Sequence, residues 1–101
     1  MTRTVRVLHG PHLNHLGSRE PRLYGKETLK SLDKRLNGLG ESLGLGVEWF
    51  QTNHEGALID RLIVAMDASD GCLINPGGLS HTSVSLADTI RAMTIPVIEV
   101  H

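Results

Sequence analysis

Four short apolar runs alternate with stretches of helical periodicity, and this alternation leaves the chain few architectures to choose from. Val5–Leu8, Val47–Gln51, Cys72–Ile74 and Val97–His101 are compact segments of strand length. Between them, Leu29, Leu32, Leu36, Leu39 and Leu43 recur at helical spacing from Thr28 onward. Gly38 and Gly40 weaken the later turns of that helix. Leu58, Ile59, Leu62, Ile63 and Met66 mark one face of a second helix, with Asn53 as its expected N-cap. Asp70-Gly71 makes a turn, and after the Pro76-Gly77-Gly78 bend Ser80 or His81 is expected to open a third helix through Val84, Leu86 and Ile90. Apolar strands separated by helices predict an α/β fold, a parallel sheet covered by helices on both faces. No helix follows the last strand, so that strand is expected at or near an uncovered edge.

Length and charge narrow the function classes. A chain of 101 residues, 40% hydrophobic, predicts a single domain over 1–101 with a modest core. The net charge of −1 offers no basic field for nucleic acid and no polybasic patch for a membrane surface. No apolar run approaches the roughly 20 residues of a membrane span, and the N-terminus lacks a signal-type apolar core. The one cysteine, Cys72, sits in an apolar run and reads as a buried small hydrophobe, which fits a reducing, cytoplasmic setting. Lys26, Lys30 and Lys34 form a basic stripe that reads as a solvated face.

The chemistry gathers in HGPHLNHLGSREPRLYG, from His9 to Gly25, directly after the first strand. In open parallel sheets, ligands bind beyond the carboxyl ends of the strands. That rule brings this loop together with Asn53, His54 and Glu55, with Asn75 and its Pro-Gly-Gly bend, and with His101; His81 follows close behind. The spacing of His9, His12 and His15 suggests metal, but Gly10, Pro11 and Gly17 break helical spacing and no carboxylate or cysteine completes a set, so no metal is expected. Pro76-Gly77-Gly78-Leu79-Ser80 is a weak anion-nest signal, and Asn75 before Pro76 also suits a plain turn. His54 and Glu55 serve equally as helix-end residues or substrate contacts. Tyr24 acts as a base only where positive charge favours phenolate, and Arg19 and Arg22 share its loop between the possible hinges Gly17 and Gly25. A packing tyrosine suits the same spacing.

GPHLNHLGSREPRLYG, FQTNHEGALID, INPGGLSHTSVSLAD and PVIEVH, in that order, resemble type II 3-dehydroquinate dehydratase, the small dodecameric dehydroquinase of the shikimate (aromatic amino acid biosynthesis) and quinate-catabolic pathways. The resemblance implies a flavodoxin-like fold and a lyase. Its reaction is the trans elimination of water from 3-dehydroquinate to 3-dehydroshikimate through an enolate, with no metal or organic cofactor. The implied roles are Tyr24 as the base at the carbon next to the ketone, Arg19 as the lid arginine that lowers its pKa, and His101 as the general acid, oriented by Glu99. Asn75 and His81 are implied contacts to substrate hydroxyls. Asp88 is implied as the residue lent by a neighbouring subunit in the family's trimer-based dodecamer.

Three departures from the family pattern stand out. The family reads Asn-Gly-Pro-Asn-Leu-Asn where this chain has His9-Gly10-Pro11-His12-Leu13-Asn14, so His12 takes the place of the asparagine that orders the enolate-stabilising water. Ala87 replaces an arginine of the third motif. His101 comes before the family's carboxylate-gripping loop, lid-closing arginine, last strand and last helix, so those are expected to be missing, with apolar surface of the sheet and first helix left partly uncovered. The alternative reading is a catalytically impaired or noncatalytic flavodoxin-like module that binds a small carboxylate.

Overall fold

The structure, a computed structural model, describes residues 2–18, 25 and 27–101. Strand β1 (Arg3–His9) is central: β2 (Leu45–Gln51) pairs on one side and β3 (Gly71–Asn75) on the other, with β4 (Val97–Glu99) beyond β3. All pairings are parallel, in the order β2-β1-β3-β4. Helices α1 (Leu29–Leu43), α2 (Glu55–Ala68), α3 (Leu79–Thr82) and α4 (Val84–Ala92) make the connections. As expected, β4 lies at an edge. Among the described residues, no helix is long and apolar enough to cross a membrane.

Alternation along the strands sends side chains to two apolar layers. On one face Leu8, Cys72 and Ile74 pack with Leu58, Leu62 and Ala65 of α2 and Leu86 of α4. Leu8, Leu58, Leu62 and Ile74 are fully buried, each contributing about 1.5–3 kcal/mol of transfer free energy. Cys72 lies in this layer; burial pushes its thiol up, with Arg6 pulling weakly the other way. On the opposite face Val5, Val7, Val47 and Leu73 meet Leu36, Leu39 and Leu43 of α1 across an apolar cleft of about 240 Å³. That face is less complete, with Leu39 and Leu43 more than half exposed.

Local chemistry corrects several expected boundaries. Thr28 caps α1 in a reciprocal pair: Ser31 N donates to Thr28 Oγ1 and Thr28 N to Ser31 Oγ, both at 3.1 Å. The glycines do not end this helix. It runs to a left-handed Gly44, and Gly40 is buried because β2 passes so close that a Cβ there would lie 2.6 Å from Val47 Cγ2. Asn53 does not cap α2; His54 holds that position without a side-chain bond, while the Asn53 side chain is used elsewhere. The third helix is not continuous from Ser80 or His81. It breaks at extended Ser83, whose Oγ accepts from Leu86 N at 2.9 Å and so caps α4 afresh. β4 stops at Glu99, although Val100 N still donates to Ile74 O. The first loop also forms one 3-10 turn, Leu13–His15. Left-handed His12 starts it.

The two glycines of α1 give opposite expectations. Gly38→Ala meets open space and should raise stability by up to about 1 kcal/mol, the ordinary helix gain. Gly40→Ala should lower it by about 1–3 kcal/mol through overpacking against β2. Urea unfolding of both variants checks the contrast.

Candidate active site

Parallel register sets the rim of the sheet. His9 lies level with Gln51 of β2 and with Asn75 of β3. The segments leaving these strands are then laced together. Gly10 N donates to Asn75 O at 2.8 Å, Thr52 N to His9 O at 3.0 Å, and Gln51 Nε2 to Gly10 O at 3.1 Å. Position 10 admits no side chain, because a Cβ would sit 2.6 Å from the carbonyl oxygen of Pro76. Asn53 Oδ1 accepts from His12 N at 3.0 Å and lies 3.2 Å from Gln51 Nε2. It thereby holds His12 in its left-handed conformation, φ 69°, which costs on the order of 1 kcal/mol for a side chain of this kind.

Beyond this lacing lies a cavity of about 590 Å³, lined by His12, Asn75 and His101, with Pro11, Leu13 and Leu16 on one wall and Gly77 and Gly78 on the other. Its size and mixed lining suit a small polar ligand. Asn75 Oδ1 accepts from Gly77 N at 3.1 Å, which commits the amide carbonyl and leaves the amide NH₂ as a donor. His101 Nε2 lies 2.9 Å from Glu99 Oε1. Both side chains are about half exposed, so the contact adds little stability and acts mainly to orient the ring. Its other nitrogen, Nδ1, remains to meet a ligand.

Among the residues singled out from sequence, the structure gathers His12, Asn75 and His101 on one cavity, with Glu99 joined through His101. Arg19, Arg22 and Tyr24 lie outside the described residues; Gly17 and Gly25 on either side take φ of 90° and 80°. His81 lies on α3 in a separate hollow with Ser80, Ser83 and Arg91. Asp88 is exposed on α4, ion-paired with Arg91. His54 and Glu55 sit at the exposed start of α2. The histidines spaced three apart part company: His12 and His15 stack with centroids 6.3 Å apart, while His9 turns inward to Asp33. Sequence reasoning missed Gln51, the role of Asn53 and Asp33. The available signal for Asp33 was a carboxylate on the apolar face of α1, four residues after Leu29 and three before Leu36.

The sequence profile described as dehydroquinase class II matches residues 3–101 of this chain. The chain belongs to the class II dehydroquinase family. It is 48% identical over 101 residues to 3-dehydroquinate dehydratase of Rhizobium johnstonii, covering all of this chain and 70% of that one. It is 43% identical to the catabolic 3-dehydroquinase of Emericella nidulans, again over the full chain and 66% of the relative. The fold agrees: the type II dehydroquinase of Propionibacterium acnes superimposes with a TM-score of 0.94 at 40% identity, covering 100% of this chain and 70% of that structure. Membership in a class II dehydroquinase family accounts for the shared α/β, flavodoxin-like architecture.

Asn53→Ala tests the lacing of this class II dehydroquinase rim. It removes the acceptor for His12 N at a partly solvated site, so a loss of about 1 kcal/mol in urea unfolding is expected. The His12 and His15 ring resonances should shift together in NMR spectra, since the turn that stacks them loses its anchor.

Proposed function

We propose that this chain is a 3-dehydroquinate dehydratase, a hydro-lyase that removes water from 3-dehydroquinate to give 3-dehydroshikimate through an enolate. The observation that supports it most is the convergence of Asn75, His12 and the His101–Glu99 pair on one cavity at the strand ends. Elimination of water next to a ketone needs a base for the carbon-bound proton, hydrogen bonding for the enolate oxygen, and an acid for the departing hydroxyl.

In this reading Tyr24 phenolate, favoured by Arg19, takes the proton from the carbon beside the ketone. The released electron pair is held as an enolate. It then forms the carbon–carbon double bond as the hydroxyl leaves, and His101 protonates that hydroxyl so that water departs. Glu99 holds the His101 ring for this transfer. Asn75 donates its amide to a substrate hydroxyl. His81 would take a second hydroxyl contact past the Gly77–Gly78 bend. Asp88 lies exposed on α4, where a residue lent to a neighbouring subunit must lie, and a trimer-based dodecamer in the cytoplasm follows as part of the proposal. No step calls for a metal or organic cofactor.

The deciding experiment follows the conjugated enone product by its ultraviolet absorbance. The proposal expects turnover, its loss in Tyr24→Phe, and retention of substrate binding in that variant, since the ring stays and the base goes. Full turnover in Tyr24→Phe would place the base elsewhere. Substrate binding without turnover in the parent chain would favour a noncatalytic binding module.

His12 gives that second reading its one specific support. An imidazole offers a single donor where a carboxamide offers two hydrogens and an acceptor. Loss of one donor to an oxyanion costs about 10²–10³ in turnover. His12→Asn is therefore expected to raise kcat by at least about tenfold in the same absorbance assay. Equal rates would remove His12 from the enolate's surroundings.

A further inference from the structure

The first loop meets the site as a tight turn whose own closing bond is weak. Leu13 N donates to Gly10 O across Pro11-His12, but at 3.4 Å, longer than an ordinary hydrogen bond of this kind. His12 takes φ 69° and ψ −3°, the backbone of the third position in a type II turn, where glycine or asparagine is the usual residue. Pro11 before it suits the second position of that turn. A histidine in this conformation, under a long closing bond, needs a hold from outside the loop. Pro11, His12 and Leu13 also line the site cavity in succession, so whatever holds the turn sets one wall of the site.

That hold comes from the end of β2. The Gln51 amide nitrogen faces three oxygens: Gly10 O at 3.1 Å, Asn53 Oδ1 at 3.2 Å and Asn14 Oδ1 at 3.4 Å. Backbone groups settle the polarity. Gly10 O only accepts, so the Gln51 NH₂ must face it; His12 N only donates, so Asn53 must turn its carbonyl oxygen that way. One donor group therefore grips the first residue of the turn directly and the third through Asn53, with Asn14 just beyond the turn. Gln51 is half-buried, and the parallel ladder fixes it level with His9. A glutamate of the same shape would set a fourth acceptor against these three. The turn also sets the gap to the opposite wall, since Pro11 O would lie 3.0 Å from a Cβ at Gly77.

We propose that Gln51 is a positioning residue of the site: its amide clamps the Gly10–Leu13 turn and so sets where the His12 imidazole stands in the cavity. The described residues that line the cavity do not include Gln51, which acts through His12. The consequence for turnover rests on the dehydratase reading, in which His12 donates toward the enolate oxygen. Such a donor works through its placement: losing one costs about 10²–10³ in turnover, and a misplacement of about 1 Å costs about 10². The effect of Gln51 is bounded by what the imidazole contributes, since that is the group it places. Because the enolate forms after binding, a displaced donor lowers kcat and leaves KM nearly unchanged.

The test makes Gln51→Met, which keeps the side chain's length and removes its donor without adding charge, both in the parent chain and in His12→Gly. Glycine adopts the left-handed backbone freely, so His12→Gly removes the imidazole and spares the turn. Gln51→Met is expected to lower kcat about tenfold with KM within about twofold, and to leave kcat unchanged in the His12→Gly background. Amide hydrogen exchange gives a second readout that needs no turnover. The His12 N–H should exchange about three- to tenfold faster in Gln51→Met, while amides of β1 and α2 keep their parent rates. Thermal melting confirms folding; if Gln51→Met does not fold, Gln51→Ala takes its place with the same expectations, since water reaches this half-buried rim. An unchanged His12 exchange rate overturns the proposal. So does an equal loss of kcat in both His12 backgrounds, which would make Gln51 a general support of the fold, or an unchanged kcat where the parent turns over. If the parent shows no turnover, the dehydratase reading fails on that ground alone, and exchange decides the role of Gln51. Faster exchange confined to His12 and its turn upholds the clamp; uniform or unchanged exchange overturns it.

Discussion

The parallel register around β1 is the constraint on which the rest of the molecule depends. Because His9 is level with both Gln51 and Asn75, three chain segments leave the sheet at the same height. A slip by one residue would turn Leu8, Cys72 and Ile74 out of the layer they share with α2 and α4. It would also separate Gly10 N from Asn75 O, the bond that draws the first loop over the third. The burial that specifies the fold is thus the same burial that aligns the site. Polar groups need only be added where the strands stop.

The two faces of the sheet carry unequal loads. The α2/α4 face is closed, with Leu58, Leu62 and Ala65 fully buried. The α1 face keeps an apolar cleft, and at the β4 edge Ile98 is more than half exposed. Exposed apolar surface of this extent, beside a strand with unpaired edge groups, disposes a chain to association. The site lies at one end of the open face, where a buried bond between Asp33 and His9 ties α1 to β1. A directional contact matters more there than on the closed face, where packing alone holds the elements.

Much of the fold was legible because it rests on periodicity. The Leu29–Leu43 stripe, the Leu58–Met66 face and the apolar triplet Cys72–Ile74 each marked an element, although burial follows them only in part: Leu29, Leu58, Leu62, Cys72 and Ile74 are buried, while Leu39, Leu43 and Ile63 stay exposed. What escaped depended on which of several polar partners a side chain would choose. Asn53 is a good cap by composition, but the approach of His12 N offers its carbonyl a tertiary partner, and Thr52 Oγ1 takes the His54 N–H instead. Ser83 sits within a helical pattern, yet its hydroxyl competes for Leu86 N and restarts the helix. Gly40 reads as a helix weakness until β2 is packed against it. Of the site, the strand-end rule selected His12, Asn75 and His101 without any contact information. It also selected His9, which the structure turns into the interior, since the acid that captures it lies on a helix far along the chain.

The proposed reaction assigns the base and the acid to different segments, Tyr24 of the connection after β1 and His101 after β4, and its trans elimination requires them to act on opposite faces of the substrate. The most direct test uses 3-dehydroquinate stereospecifically deuterated at the carbon beside the ketone, with label retention read in the product by mass spectrometry. The account predicts that the label is lost when it lies anti to the departing hydroxyl and kept when it lies syn. Loss of the syn label would require acid and base on the same side of the substrate and would contradict this arrangement of the site.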